Sequence, residues 1–478
     1  MNVLKDIEPK SVFRFFEELS AIPRGSGNTK AVSDYLAGFA KERGLEYYQD
    51  ELNNIIIIGP ATPGYENSEP VIIQGHMDMV CEKAPGCTKD MEKEGLDLAV
   101  EGDTVFARGT TLGADDGIAV AMALAVLDSD DLPHPRVEAV ITVDEEVGMD
   151  GAMGIDLSPL KGKALINIDS EDEGIFTVSC AGGAHVECTL PVTFESFAGT
   201  ALDIAVTGLL GGHSGAEIDK GRASSNMLMG RLLYALGKAT DMRLVSVRGG
   251  LKDNAIPNAS YASVIVKDEA AAKSVCAGME NIFRDEYKVT DGGITVSVSG
   301  GAAAPAMDKP STGRAVCFLM CAPNGIQAMS ADIAGLVQTS LNLGILVTGS
   351  ESVCASFSVR SSVASQKTML IDRLTCLTEQ LGGSVSISGD YPGWAYRQDS
   401  PLRDLLAEVF TEQYGHAPTI AAIHAGLECG LFLGKKPELD CVSIGPDIDD
   451  IHTFREKLHI ASTQRTWALL VETLKRMK

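Results

Sequence analysis

The sequence predicts an α/β fold, a mainly parallel sheet with helices on both faces, interrupted by an inserted α+β domain of the ferredoxin-like sort. Three observations carry that reading. Apolar runs of strand length alternate with helical stretches as far as about residue 180, the element order that builds a parallel sheet. From about Gly183 the texture changes to strands of alternating polarity separated by helical segments. Beyond about residue 395 the first texture returns. The chain has 478 residues, 45% of them hydrophobic, which is too long for one ordinary core. We therefore expect residues 1–186 and 396–478 to form one discontinuous domain and residues 187–395 an insertion within it.

In chain order, Pro9 to Ser20 and Asn28 to Arg43 read as amphipathic helices, with Gly44 closing the second. NNIIIIGP and PVIIQGH read as two strands, joined as a hairpin by the Gly/Pro/Asn/Glu-rich connection 60–69. Leu112 to Leu127 supplies an apolar helix (GIAVAMALAVL), followed by a strand from Val137, a Gly-rich turn over 148–154 and the strand ALINID. Inside the insertion AHVECTLPV, ALDIAVTGL, YASVIVKD, GITVSVSG, CASFSVRSS and GSVSISGD are strands, and 224–237 and 268–285 are helices. A helix from Leu402 to Tyr414, the buried strand CVSIG and a helix from Gln464 to Met477 close the chain. No internal repeat is visible.

Composition excludes several functions. A formal charge of −25, from 40 basic against 65 acidic residues, opposes phosphate binding and hence a nucleic-acid partner. No run of 18 apolar residues exists, and Met1 to Glu8 carries acids and no apolar core, so neither a membrane span nor a secretory signal is expected and the location is read as cytoplasmic. Eleven cysteines occur without CxxC pairs; Cys317 and Cys321 read as one face of a buried helix, so reduced thiols are expected.

Four apolar runs end on an acid or a histidine: VIIQGHMD (71–78), VEAVITVDEE (137–146), ALINIDS (164–170) and CVSIGPDIDDIH (441–452). A parallel sheet gathers the carboxyl ends of its strands at one edge, where open α/β proteins bind ligands. Asp115 and Asp116, opening the apolar helix, join the same group. Each has an ordinary reading when taken singly. His76 and Asp78 fit a hydrogen-bonded strand end and a cap, Asp115 and Asp116 a helix N-cap, Glu145 and Glu146 a solvated strand end, Asp169 a turn, and His452 a solvated imidazole. Taken together, they are carboxylates that repel one another unless a cation intervenes, and a divalent metal site is the simplest resolution. Asp78 is a candidate to fix the second nitrogen of His76. Glu145 and Glu146, read as extended chain, would point in different directions, one to coordinate and one to act as general base. Three carboxylates and two histidines exceed the ligand set of one catalytic zinc, but shared between two ions with one carboxylate bridging they supply three each.

The strings GHMDMV, LGADDGIAVA, VDEEVGMDGA, NIDSEDEG, GGHSGAEIDKGRASSN and IHAGLECG resemble the co-catalytic zinc peptidases that include carnosinases and aminoacylases, and most closely the bacterial aminoacyl-histidine (Xaa-His) dipeptidases. The resemblance runs over essentially the whole chain. It implies a dipeptidase with two Zn2+, for which Co2+ or Mn2+ are possible substitutes. His76 and Asp169 would hold one ion, Glu146 and His452 the other, and Asp115 would bridge them, followed by a cis peptide. Asp78 would support His76, and Glu145 would be the general base. His213 would stabilise the oxyanion, while Asn254 and Arg360 would bind the carboxylate of a small peptide substrate. The inserted domain would be a lid and would join a homodimer. His424 and Glu428 receive no role. A related N-acyl amino acid deacylase or tripeptidase would share the metal set, and a non-catalytic peptide- or metal-binding protein would share the fold.

Overall fold

The computed structural model describes residues 3–478; Met1 and Asn2, the start of the segment read for a signal, lie outside the described residues. The chain divides into two compact units. One comprises the chain as far as Ser179 with Tyr396–Ala422 and Leu431–Lys478, and the other Cys180–Ala395 with Ile423–Gly430.

The first unit is built on an eight-stranded sheet whose middle is four parallel strands, in spatial order Val137–Thr142, Val71–His76, Ala164–Asn167 and Asp440–Ser443. Every residue of the Val137 and Val71 strands is buried, which is why they read as unbroken apolar runs. Antiparallel strands flank this middle: Ile55–Gly59 and then Glu46–Gln49 on one side, Ile175–Cys180 on the other. The Ile55 and Val71 strands are therefore not the expected hairpin. The Val137 strand lies between them, giving the buried Val71 strand a partner on each edge, so that its backbone groups are met on both sides.

The helix Ala114–Leu127 is buried along its length, packed on the Val71 strand and on the helix Lys10–Ser20. A helix covered from more than one side needs an apolar surface all round, and GIAVAMALAVL supplies one. The expected turn over 148–154 is instead part of two short helices, Glu145–Gly148 and Asp150–Gly154, meeting at Met149 in left-handed backbone. A small antiparallel sheet of Ile448–Asp449, Lys457–His459, Thr104–Ala107 and Leu98–Glu101 secures the hairpin whose loop carries His452.

The second unit holds a nine-stranded antiparallel sheet. Four of its strands, Thr200–Thr207, Met242–Gly249, Ser260–Val266 and Thr295–Gly300, lie in spatial order fourth, first, third, second, with the helices Ser225–Ala239 and Glu269–Glu286 following the first and third. This is the ferredoxin-like arrangement. The same order recurs in Gly182–Pro191, Val337–Thr348, Ser352–Ser361 and Ser384–Tyr391, with the helices Lys309–Cys321 and Ala364–Gln380. One copy is thus inserted after the first strand of the other, and they meet where Gly249 pairs with Leu346. The sequence shows no repeat because the copies share strand order and burial alternation, not residue identities. Along the Gly182 strand, for example, Ala184, Val186, Cys188 and Leu190 enter the core while His185 and Glu187 face out. Cys317 and Cys321 are exposed rather than buried, because their helix turns Ser311, Thr312, Ala315, Val316, Phe318 and Leu319 inward.

Phe357 is fully buried in this core, set edge-on to Phe318 with ring centroids 6.1 Å apart. Phe357→Ala should cost about 3–5 kcal/mol, read as a lowered urea midpoint. A loss below about 1 kcal/mol would mean that this sheet face is not packed as described.

Candidate active site

His76 ends its parallel strand, and its Nε2 lies 3.1 Å from Asp115 Oδ1 and 3.6 Å from Asp169 Oδ1. The other oxygen of Asp115, Oδ2, is 3.0 Å from His452 Nε2, which is in turn 2.9 Å from Glu146 Oε2. One carboxylate thus faces an imidazole with each of its oxygens. Behind His76, Asp78 Oδ1 is 3.4 Å from Nδ1, and Asp78 is itself held by the Ser26 hydroxyl at 2.8 Å and the Glu145 N–H at 3.2 Å. The Asp115–Asp116 peptide is cis.

Glu145 and Glu146 are not in extended chain. They open a short helix after Asp144, whose φ of 56° turns the backbone left-handed past the strand end. Asp116, which the sequence offered as a cap, makes no capping bond; its Oδ2 accepts the His76 N–H at 3.2 Å. Among the described residues it belongs to one of two sets whose possible ligand atoms lie within 4.8 Å of one another, His76 with Asp116 and Asp169, and His76 with Asp115 and Glu146. Gly75 leaves the room for it, since a Cβ there would sit 2.3 Å from Asp116 Oδ2. The amides at the start of the Ala114 helix are met instead by the carboxylate of Glu456, an acid that no local pattern singles out.

Protons hold these charges together. Burial pulls His76 down, but hydrogen bonds with Asp115, Asp169 and Asp78 outweigh it and leave the imidazole well above its ordinary value. Hydrogen bonds with Asp115 and Glu146 push His452 up to about 10. Burial would raise Asp115, yet its hydrogen bonds with His452 and His76 keep it below the usual carboxylate range. Burial pushes Asp169 up to about 7, with the charges of Asp115 and Glu171 adding to it, and raises Glu145 to about 8 beside Asp169, Glu146 and Asp115. Burial likewise raises Asp116 well above its ordinary value and Glu171 to about 7, both unremarked in the sequence as titrating groups. The donor set fits a divalent cation: two imidazoles and several carboxylates are ligands of zinc and its neighbours, and Glu146 Oε1 is buried with no hydrogen-bond partner.

The second unit carries the remaining residues. His213 lies on the two-residue strand Gly212–His213, paired with Ala255–Ile256, and the Asn254 carbonyl beside it accepts the Ser214 N–H at 2.8 Å. His213 Nδ1 accepts the N–H groups of Gly215 and Ala216 at 3.2 and 3.0 Å. Burial and the charge of Arg360 lower its pKa, so the ring is neutral at pH 7 with its proton on Nε2. Arg360 is the register partner of Ser340, whose Oγ is 2.7 Å from His424 Nε2. Arg360 Nε is buried and unpartnered, and Glu428 is buried at the start of the helix Glu428–Lys435.

A parallel α/β unit with such a cluster at its carboxyl edge, together with a ferredoxin-like unit, agrees with what comparison finds. The profile of "Peptidase family M20/M25/M40" matches residues 72–476, and the chain belongs to that family. It is 36% identical over 487 aligned residues to the cytosol non-specific dipeptidase of Escherichia coli (strain K12), covering 99% of each chain. It is a homologue of the aminoacylhistidine dipeptidase from Vibrio alginolyticus, whose crystal structure matches with a TM-score of 0.95 at 34% identity over 99% of this chain and 98% of that one. Aminopeptidase PepT from Bacillus cereus ATCC 10987 matches at a TM-score of 0.57 and 16% identity over 98% and 99% of the two chains, a likeness that shows the fold alone. No helix among the described residues is long and apolar enough to cross a membrane.

Ligation requires neutral imidazoles and ionised carboxylates, whereas here His76, His452 and Asp169 are raised and hold protons that a cation must displace. Zinc affinity should therefore rise with pH across about pH 7 to 10, with at least about one proton released per ion. Calorimetric titration in buffers of different ionisation enthalpy reads the release directly. Binding without proton release would contradict this electrostatic account.

Proposed function

We propose that the chain is a cytoplasmic metallodipeptidase that hydrolyses dipeptides, Xaa-His among them, with two zinc ions as cofactors and cobalt or manganese as substitutes. The observation that carries this reading is Asp115, whose two oxygens face two different histidines at 3.1 and 3.0 Å. A carboxylate so placed suits a pair of cations, with His76 and Asp169 as ligands of one, Glu146 and His452 of the other, and Asp115 of both. Bound there, divalent ions would neutralise the carboxylates, polarise the scissile carbonyl and acidify the attacking water.

The chain's own residues supply the rest. Asp78 accepts from Nδ1–H of His76 and so leaves Nε2 as the ligating atom. Glu145 takes the proton of the attacking water and returns it to the leaving amine. His213, with its proton on Nε2, is a neutral donor for the developing oxyanion. Arg360, with its unpartnered buried Nε, and Asn254 hold the terminal carboxylate of the substrate, a demand that limits the enzyme to short peptides. For partners we propose small peptides and a second copy of the chain, joined through the inserted domain 187–395, which also serves as a lid. Support comes from two relatives, at 36% and 34% identity, that carry dipeptidase names.

Glu145→Gln should keep its metal and lose about 100- to 10,000-fold in kcat. Unchanged turnover in the variant would remove Glu145 as the base. Arg360→Ala should raise KM for dipeptides about 10- to 100-fold, the worth of a charged hydrogen bond, and leave dipeptide amides unaffected. A panel of dipeptides, tripeptides and N-acyl amino acids tests the reaction class. Preference for acylated amino acids would make the chain a deacylase, and full metal with no hydrolysis would make it a binding protein.

A further inference from the structure

We infer that Glu456 and Arg24 are positioning residues of the metal centre, a buried clamp that fixes from behind the three chain segments carrying its ligands. The inference rests on the two-cation reading given above. Glu456 is 3% exposed, and its carboxylate accepts four consecutive backbone N–H groups. Leu112 and Gly113 donate to Oε2 at 2.8 and 2.9 Å, and Ala114 and Asp115 to Oε1 at 2.8 and 3.5 Å. Successive amides converging on one point form an anion-binding nest, and Gly113, with φ at 65°, lets the backbone curl into it. The segment so gripped is the one that presents Asp115. Glu456 itself belongs to the hairpin loop of His452, and its N–H donates to the Thr453 carbonyl at 3.1 Å. Asp115 and His452, 3.0 Å apart at their side chains, are therefore tied a second time through Glu456.

Arg24 adds the third segment. It is 2% exposed; Nη1 donates to the carbonyls of Met77 at 2.9 Å and Asp78 at 3.2 Å, and Nη2 donates to the carbonyl of Gly113. The exit of the His76 strand is thereby pinned to the Asp115 segment. The glycines of LGADDG are the space this arginine fills. A Cβ on Gly113 would lie 2.6 Å from Arg24 Nη2, and one on Gly117 would lie 2.5 Å from it. The guanidinium also places a positive charge near Glu456 and Asp78, where the site otherwise accumulates negative charge. All these bonds go to backbone rather than to ligand atoms, so the two residues act through the segments they hold. Partners that orient ligands in this way are typically worth about 10- to 100-fold in metal affinity.

Glu456→Gln keeps the side chain's volume but turns an amide NH2 against backbone donors. In the full chain, its affinity for cobalt(II), measured by competition with a chromophoric chelator, should fall about 10- to 100-fold, with altered d–d absorption bands. The circular dichroism and melting temperature of the metal-stripped variant should stay close to those of the parent. Arg24→Lys retains the charge without the fork and should fall about 10-fold under the same conditions. Parental affinity and spectrum in both variants would overturn the inference. So would a loss of affinity matched by unfolding of the metal-stripped chain, which marks a merely structural role. Failure of the parent chain to bind cobalt would overturn the two-cation reading and the clamp with it.

Discussion

The mutual repulsion of Asp115, Asp116, Asp169, Glu145 and Glu146 sets the terms on which the first unit folds. Asp115 is 8% exposed and Asp116 is 1% exposed, so water screens little of their interaction. Two like charges about 4 Å apart at a surface-like effective dielectric repel by about 4 kcal/mol, and a few such pairs rival the net stability of a domain. Counter-charge is therefore a condition of assembly. It takes the form of protons on His76 and His452 and of the Arg24 guanidinium, beside protons that the raised Asp116, Asp169 and Glu145 retain, and the same arrangement makes the cluster receptive to divalent cations.

A scaffold that carries this load has to be stiff, and the elements around the cluster are. The four parallel strands are buried in the middle of their sheet, so their ends cannot drift apart without breaking a ladder on both sides. His76 ends its strand and Asp115 opens a helix, while Glu146, Asp169 and His452 lie beyond the strand ends in connecting segments. Asp144 and His452 adopt left-handed φ values of 56° and 59°, which non-glycine residues take up only where surrounding contacts enforce it. For His452 the enforcement comes from the hairpin beneath it and from Glu456. For the Asp144 turn it includes a 2.6 Å bond from the Gly27 N–H to Asp144 Oδ1.

Much of this was legible in the residues because complete burial writes itself plainly. Strands paired on both edges and covered on both faces are unbroken apolar runs, and polar residues that end such runs stand out at once. The nearness of His76 and Asp169 follows from that pattern plus the rule that parallel strands end together. Other features left no local trace. Nothing in NNIIIIGP or PVIIQGH says that a third strand will slide between them, because that choice is made by the edge needs of the whole sheet. Four residues, Glu145–Gly148, are too few to show a helical period. Glu456 and Arg24 bind backbone amides and carbonyls, which every residue has, so no partner residue type betrays them. The doubled ferredoxin-like unit is invisible for a similar reason, since strand order is a property of pairing and not of composition.

The two units treat histidine in opposite ways, and the contrast ties electrostatics to chemistry. In the first, carboxylates pull imidazoles up, producing a donor set that exchanges protons for cations. In the second, burial and Arg360 push them down, His213 below its ordinary value and His424 to about 4. An imidazole held neutral beside an arginine offers one fixed N–H without a second full charge. Such an imidazole suits an anion whose charge is only developing, whereas a guanidinium suits one that is already complete. A dipeptide presents both kinds of demand during hydrolysis, a permanent carboxylate and a transient oxyanion, together with a water that must lose its proton. Separate groups of opposite electrostatic character meet these demands better than one, because the conditions that raise a histidine among carboxylates are those that would spoil it as a neutral donor.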